Sequence, residues 1–226
     1  MKESSKPLRV TSKIGSKKIT YFVIKRNVKY PRLEFRGNFL CIVVPKDIKN
    51  FRYIIEKKEK WILNKLDFIN KILERNKNLT NKFIIFGVPT NIEKFQSNLL
   101  SGNKNKVKIR NFLRHILFQK IKNIAEEYSK KFGIKYNKIF IRNQKTKWAS
   151  CSSKKNLSFN IKILSLPEAL INYLVLHEIL HLKEKKHSEN FILMIKKEFP
   201  NYKEIEEQLT NYWFILNNNY WWKNFS

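Results

Sequence analysis

Residues 177 to 187 read H-E-I-L-H-L-K-E-K-K-H and contain three of the four histidines in the chain. Two histidines four apart on a helix lie about 40° apart around its axis and about 6 Å along it, so their imidazoles can converge on one metal ion. Glu178 follows the first of them. From there a carboxylate can reach a water in the ion's shell, which is the general-base arrangement of a metal-dependent hydrolase. His187 offers a third nitrogen just beyond the helix. Chance placement of His-Glu with a second His in register, in 226 residues with four His and 18 acidic residues, is about four in a thousand. The spacing therefore predicts a centre with His177, His181 and His187 as metal ligands and Glu178 as catalytic base. Imidazole suits zinc, expected at one ion per chain, without excluding iron, cobalt or nickel. Three protein ligands leave one tetrahedral position for water, as catalytic rather than structural zinc sites do.

These residues need a buried helix to hold them. From Ala169 to Leu182 apolar side chains fall on nearly every side: Leu170, Ile171, Leu174, Val175, Leu176, Ile179, Leu180 and Leu182. A helix apolar all round is an interior helix. Placing two imidazoles and a carboxylate there is costly unless a metal and its water satisfy them. Pro167 opens this helix, where its missing N–H does no harm. The run Lys183, Glu184, Lys185 and Lys186 marks the helix leaving the core and reads as a solvated face. His115 stands alone on another helix and reads as a packing residue.

The elements before it alternate between strands and long helices. KITYFVIKR, RLEFR and FLCIVVP, separated by turns near Tyr30-Pro31 and Gly37-Asn38, read as an antiparallel β-meander. A helix is expected from Ile48 to Asn76 behind an Asp47 cap, with Ile54, Ile55, Trp61, Ile62, Leu66, Ile69 and Leu73 as its stripe. KFIIFGVPTNIEKF reads as a hairpin and SNLLSGNKNK as a linker, which sets an N-terminal α+β lobe at 1–100 and a core at 101–226. A second helix is expected from Val107 to Phe132, striped by Phe112, Ile116, Ile121, Ile124, Ala125 and Tyr128 and ended by Gly133. IKYNKIFIRN, KWASCSS and NLSFNIKIL read as strands. The last, near Asn156 to Ile163, is expected to flank the cleft and offer an edge to an extended peptide.

Several of these segments together resemble the YgjP-like metallopeptidase family, relatives of the SprT-like proteases. They are QKTKWASCSSKKNLSFNIKIL, the proline-led helix, HEILHLKEKKHSENF and FPNYK. The stretch from Gln144 to Ser152 is more specific than the HExxH pattern, and the resemblance extends over nearly the whole chain. It implies a zincin-like α+β core with His177, His181 and His187 on zinc, Glu178 as catalytic residue and a peptide or protein as substrate. The His187 spacing equals that of metzincins, whose motif has Gly where this chain has Glu184, so the turn toward His187 must be made differently. The family's usual Arg-Trp-Gly is Lys147-Trp148-Ala149 here.

Composition bounds the rest. With 42% hydrophobic residues and 17 Phe, the chain can bury a core. No long apolar run predicts a membrane span, and the N-terminus lacks the apolar stretch of a secretory signal, so a cytoplasmic location is expected. Cys41 and Cys151 read as free thiols, too few for a zinc ribbon. The formal net charge of +29 admits polyanions and predicts nonspecific nucleic-acid binding through a basic surface. The excess of Lys over Arg, with abundant Asn and Ile, is also what AT-rich codon usage produces. Two rivals to a peptidase follow: a metal-dependent nucleoside triphosphate hydrolase, and a basic nucleic-acid module with a structural metal.

Overall fold

The structure, a computed structural model, describes residues 7–48, 50–90 and 103–225. It is α+β and divides into two compact units, Met1–Lys77 and Asn78–Ser226.

In the first unit β1 (Leu8–Ile14), β2 (Lys17–Arg26), β3 (Arg32–Arg36) and β4 (Phe39–Pro45) form one sheet in the order β1-β2-β4-β3. The sheet is mixed rather than a plain antiparallel meander. β2 runs parallel to β4, and the segment between β2 and β3 crosses over so that β3 lies on the far side of β4. β1 was not expected from the sequence, because polar Ser12 interrupts the apolar line of Leu8, Val10 and Ile14. It joins β2 through a two-residue turn in which Gly15 has φ +57°, and a Cβ there would meet Glu59 and Leu63 at 3.0 Å.

One sheet face packs on two helices, α1 (Arg52–Lys57) and α2 (Glu59–Arg75). The single helix expected from Ile48 to Asn76 is thus broken at Lys58, whose φ of −116° is not helical. Asn50 rather than Asp47 serves the first turn, accepting from the Arg52 N–H at 3.0 Å. Ile55, Ile62, Ile69 and Ile72 form the buried stripe, while Trp61 is 45% exposed and lies against Phe35.

The second unit opens with the hairpin β5 (Phe83–Ile85) and β6 (Val88–Thr90). Its turn is seated on the start of the helix that carries His177: the Phe86 N–H donates to the Leu164 carbonyl at 2.7 Å, and a Cβ on Gly87 would meet Pro167 at 3.0 Å. The hairpin therefore belongs to the second unit's core and not to the N-terminal lobe. The segment expected as a linker lies outside the described residues up to Gly102, and from Asn103 the chain is helical. α3 (Asn103–Phe132) buries Leu113, Leu117, Ile121, Ile124, Ala125 and Tyr128. Phe112 is 56% exposed, so the stripe sits one residue on from the expected Phe112–Ile116 line. Gly133 ends α3 at φ +64°, and Ile134 N–H reaches back to the Ser129 carbonyl.

β7 (Ile139–Arg142), β8 (Ala149–Cys151) and β9 (Leu157–Asn160) form a sheet in the order β7-β9-β8. β9 is therefore central. The strand expected from Asn156 to Ile163 ends at Asn160 and passes into a 3-10 turn over Ile161–Ser165. It has no free edge to offer, because β7 takes one side and β8 the other; β7 and β8 are the two edge strands. α4 (Glu168–Leu180), α5 (Glu189–Glu198), α6 (Tyr202–Asn218) and α7 (Tyr220–Phe225) complete the unit. The aromatic tail packs inward: Trp222 is 1% exposed, stacks on Phe83 at 5.9 Å and donates through Nε1 to Ser165 Oγ at 2.8 Å.

Candidate active site

Past its exposed first residues Glu168 and Ala169, α4 is buried on nearly every side, with only Asn172 and His177 half-buried, and it carries His177 and Glu178 in its last turn. His181 ends the helix, with its N–H donating to the His177 carbonyl at 3.2 Å. The chain then turns without a left-handed residue. Leu182 and Lys183 each close a three-residue turn, Glu184 N–H returns to the Leu180 carbonyl at 2.8 Å, and the Glu184 carbonyl lies 3.0 Å from His181 Nδ1. This replaces the glycine turn of the metzincin pattern and swings His187 back over the helix end. Ser188 then caps α5, accepting the Phe191 N–H at 3.3 Å.

The three histidines meet. Their Nε2 atoms lie 3.2 Å (His177–His181), 3.2 Å (His177–His187) and 3.1 Å (His181–His187) apart. A point equidistant from all three in their plane is about 1.8 Å from each, just inside the zinc–nitrogen length of 2.0–2.1 Å. The donor set fits a cation better than mutual hydrogen bonding. His181 Nδ1 faces a carbonyl and so carries the proton, which leaves Nε2 a bare lone pair. Burial, then the neighbouring His181 and His187, push the His177 pKa down to about 3, so its ring is neutral. Three converging lone pairs repel unless a cation lies among them. Among the described residues these three form the group able to hold a metal ion.

Phe191 was missed from the sequence. It is 1% exposed, and its ring lies 4.8–5.0 Å from all three imidazoles, fixing their planes from behind. A Phe two residues into a helix carries no signal of this role.

Glu178 is 6% exposed. Burial raises its pKa to about 7, against the opposing Lys147 charge and a hydrogen bond from the Cys151 backbone N–H. Its Oε2 has no hydrogen-bond partner. A carboxylate with one atom anchored, the other unclaimed and a pKa near neutrality has the properties of a general base.

The segment facing α4 is held by buried Asn160, which the sequence reading did not single out. Its Nδ2 donates to the Gln144 carbonyl at 2.8 Å and the Lys147 carbonyl at 3.0 Å, and its Oδ1 accepts from Lys162 N–H. Trp148 is then fixed by Asn160 N–H on its carbonyl and by its own Nε1 on the Leu209 carbonyl. Beside His177 and Glu178 a cavity of about 520 Å³ opens, walled by Trp148, Leu174, Leu209, Trp213 and Phe214. Trp148 and Trp213 meet edge to face at 5.0 Å. At the polar wall Tyr173 donates to Glu206 at 2.8 Å. His115, by contrast, is exposed on α3 rather than packed, and lies apart from the histidine group. Both cysteines are free.

An α+β core with a buried HExxH helix, a third histidine and a cleft beside an edge strand defines a metallopeptidase-type hydrolase. The comparisons agree: residues 29–212 match the YgjP-like family, metallopeptidase domain, and the chain belongs to that family. No curated protein matches it. Among solved structures it is similar to the metallopeptidase zymogen of Pyrococcus abyssi abylysin, at 27% identity over 39% of this chain and 90% of that one, with a TM-score of 0.37. It is also similar to the metallopeptidase zymogen of Methanocaldococcus jannaschii jannalysin, at 32% identity over 40% and 93%, also with a TM-score of 0.37. No helix among the described residues is long and apolar enough to cross a membrane.

Proposed function

We propose that this metallopeptidase uses one zinc ion held by His177, His181 and His187, with Glu178 as general base, to hydrolyse peptide bonds. The observation that carries the reading is the Nε2 triangle of 3.1–3.2 Å beside a buried, half-anchored carboxylate. Bound zinc supplies Lewis acidity toward the attacking water and the scissile carbonyl. Glu178 takes the proton from that water through Oε2 and returns it to the leaving amine. Its other oxygen stays on the Cys151 N–H, so the carboxylate does not rotate away.

The substrate backbone aligns along β8. Ser150 pairs with Ser158 of β9, and Trp148 and Ser152 also bond toward β9, so the Ala149 N–H and carbonyl and the Cys151 carbonyl turn outward, while the outward Cys151 N–H is held by Glu178. An extended peptide adds there as a further strand and places one side chain against the cavity wall formed by Trp148, Leu174, Trp213 and Phe214. The cavity walls favour a large apolar or aromatic residue. Nucleotide hydrolysis draws no support from the family, and a closed structural metal site does not need a carboxylate with an unclaimed oxygen.

The test is digestion of a mixed peptide library by the zinc-loaded protein, with cleavage sites read by mass spectrometry. Cleavage enriched for large apolar residues on one side of the scissile bond is expected. Release of phosphate from nucleoside triphosphates with no peptide cleavage would overturn the reading.

A further inference from the structure

We propose that the outer face of the first unit's sheet binds single-stranded nucleic acid, with Phe39 as a stacking ring and Arg9, Lys13 and Lys18 as phosphate contacts. Residues directly opposite in neighbouring strands share a face. The register therefore puts Arg9 beside Phe22, Thr11 beside Thr20 and Lys13 beside Lys18 on one face. It adds Arg36 beside Phe39, with Glu34 beside Cys41, on the same side. The helices cover the opposite face. On this face Ile24, Cys41 and Val43 are buried with Phe22 and Val28, and Thr20, Glu34 and Arg36 are half-buried. Phe39 is 52% exposed and held edge-on to Phe22 at 5.5 Å, and Arg9, Thr11, Lys13 and Lys18 are exposed.

Codon usage does not account for this placement. AT-rich codons raise Lys, not Arg, yet four of the nine arginines in the chain (Arg9, Arg26, Arg32 and Arg36) fall between Leu8 and Pro45. The same stretch holds nine cations and one carboxylate, Glu34. That carboxylate is taken by Arg36 at 2.5 Å and Arg32 at 3.4 Å. The carboxylates Asp47, Glu56, Glu59, Asp67 and Glu74 all lie in the segment leading into and along the helices. Residues 46–77 hold ten cations against these five carboxylates, so the sheet, at nine to one, is the more strongly basic side. A cationic sheet face with a solvent-exposed aromatic ring matches a strand with unpaired bases: phosphates meet the cations and a base stacks on the ring. A duplex hides its base faces, and an acidic peptide brings charge without them.

The test is fluorescence anisotropy of a labelled oligothymidylate with the full chain across a salt series. Three contacts predict a log–log salt slope of about −2. Lys13→Glu with Lys18→Glu is expected to weaken binding and flatten the slope by about 1.4. Phe39→Ala is expected to weaken binding about tenfold with the slope unchanged. Phe39→Leu, which keeps an apolar contact on Phe22 but has no ring, is expected to do the same, so a misfolded Phe39→Ala would not decide the matter. Lys130→Glu with Lys135→Glu, exposed around the end of α3 in the second unit, is the control and should bind as wild type. The proposal fails if the control loses as much affinity as the sheet variant, or if Phe39→Leu binds like wild type. It fails equally if duplex DNA, polyglutamate or phosphatidylserine vesicles compete as well as the single strand.

Discussion

The Glu178 carboxylate accepts the backbone N–H of Cys151, which ties the active-site helix to the edge strand β8. One hydrogen bond thereby fixes the proposed base against the strand proposed to receive the substrate. The other oxygen, Oε2, is left without a partner. Glu178→Gln is accordingly expected to stay folded and metal-loaded while kcat falls about 10²–10⁴-fold. Metal content and peptide turnover measured on the same preparation check this. Loss of the metal would make Glu178 a ligand or a support instead.

His187→Ala should lower bound zinc from one per chain to substoichiometric levels after dialysis. A ligand that binds only the folded state stabilises it in proportion to the logarithm of its concentration. Zinc titration should therefore raise the melting temperature of wild type but not of this variant. An unchanged zinc response would remove His187 from the ligand set.

Phe191→Ala should destabilise the fold by about 3–5 kcal/mol, the usual cost of emptying a buried aromatic site. Phe191→Leu should lose less stability but still weaken zinc retention, because the flat backing of the three imidazoles is gone. Chemical denaturation and metal analysis separate the two effects. Tight zinc binding in Phe191→Leu would reduce Phe191 to a packing role.

Lys162 is 8% exposed, with Nζ donating to Asn217 at 2.7 Å, and burial lowers its pKa to about 8. The unfolded chain keeps that proton up to about pH 10.4. Between those values the unfolded state binds more protons than the folded one, so this residue makes stability rise with pH, by about 3 kcal/mol at most. Below pH 8 the cost of the buried charge is felt in full. Lys162→Met should remove the rise, measured as the wild-type minus variant stability from pH 7 to 10. A constant difference would show that Lys162 titrates normally.

Trp213→Ala should widen the cavity and abolish the preference for large side chains, raising KM for such peptides more than it lowers kcat. Unchanged library preferences would place the selective pocket elsewhere.

The sequence alone carried the chemistry that depends on near neighbours. The i, i+4 spacing of His177 and His181 follows from helix geometry, and the apolar residues around them require an interior helix, as observed. The α+β class and the family were legible in the same way, from periodicity and from local motifs. What the sequence did not determine are the relationships between segments far apart in the chain. β2 and β4 pair in parallel, β9 is central and β8 lies at an edge, because strand pairing is decided by which faces must be buried together rather than by alternation within a strand. Asn160 pins the loop before Trp148, Phe191 backs three imidazoles, and Trp148 meets Trp213, 65 positions further along the chain. None of these has a local pattern. Each exists because tertiary packing brings a buried polar group to its only partners or an apolar side chain to the one space that fits it.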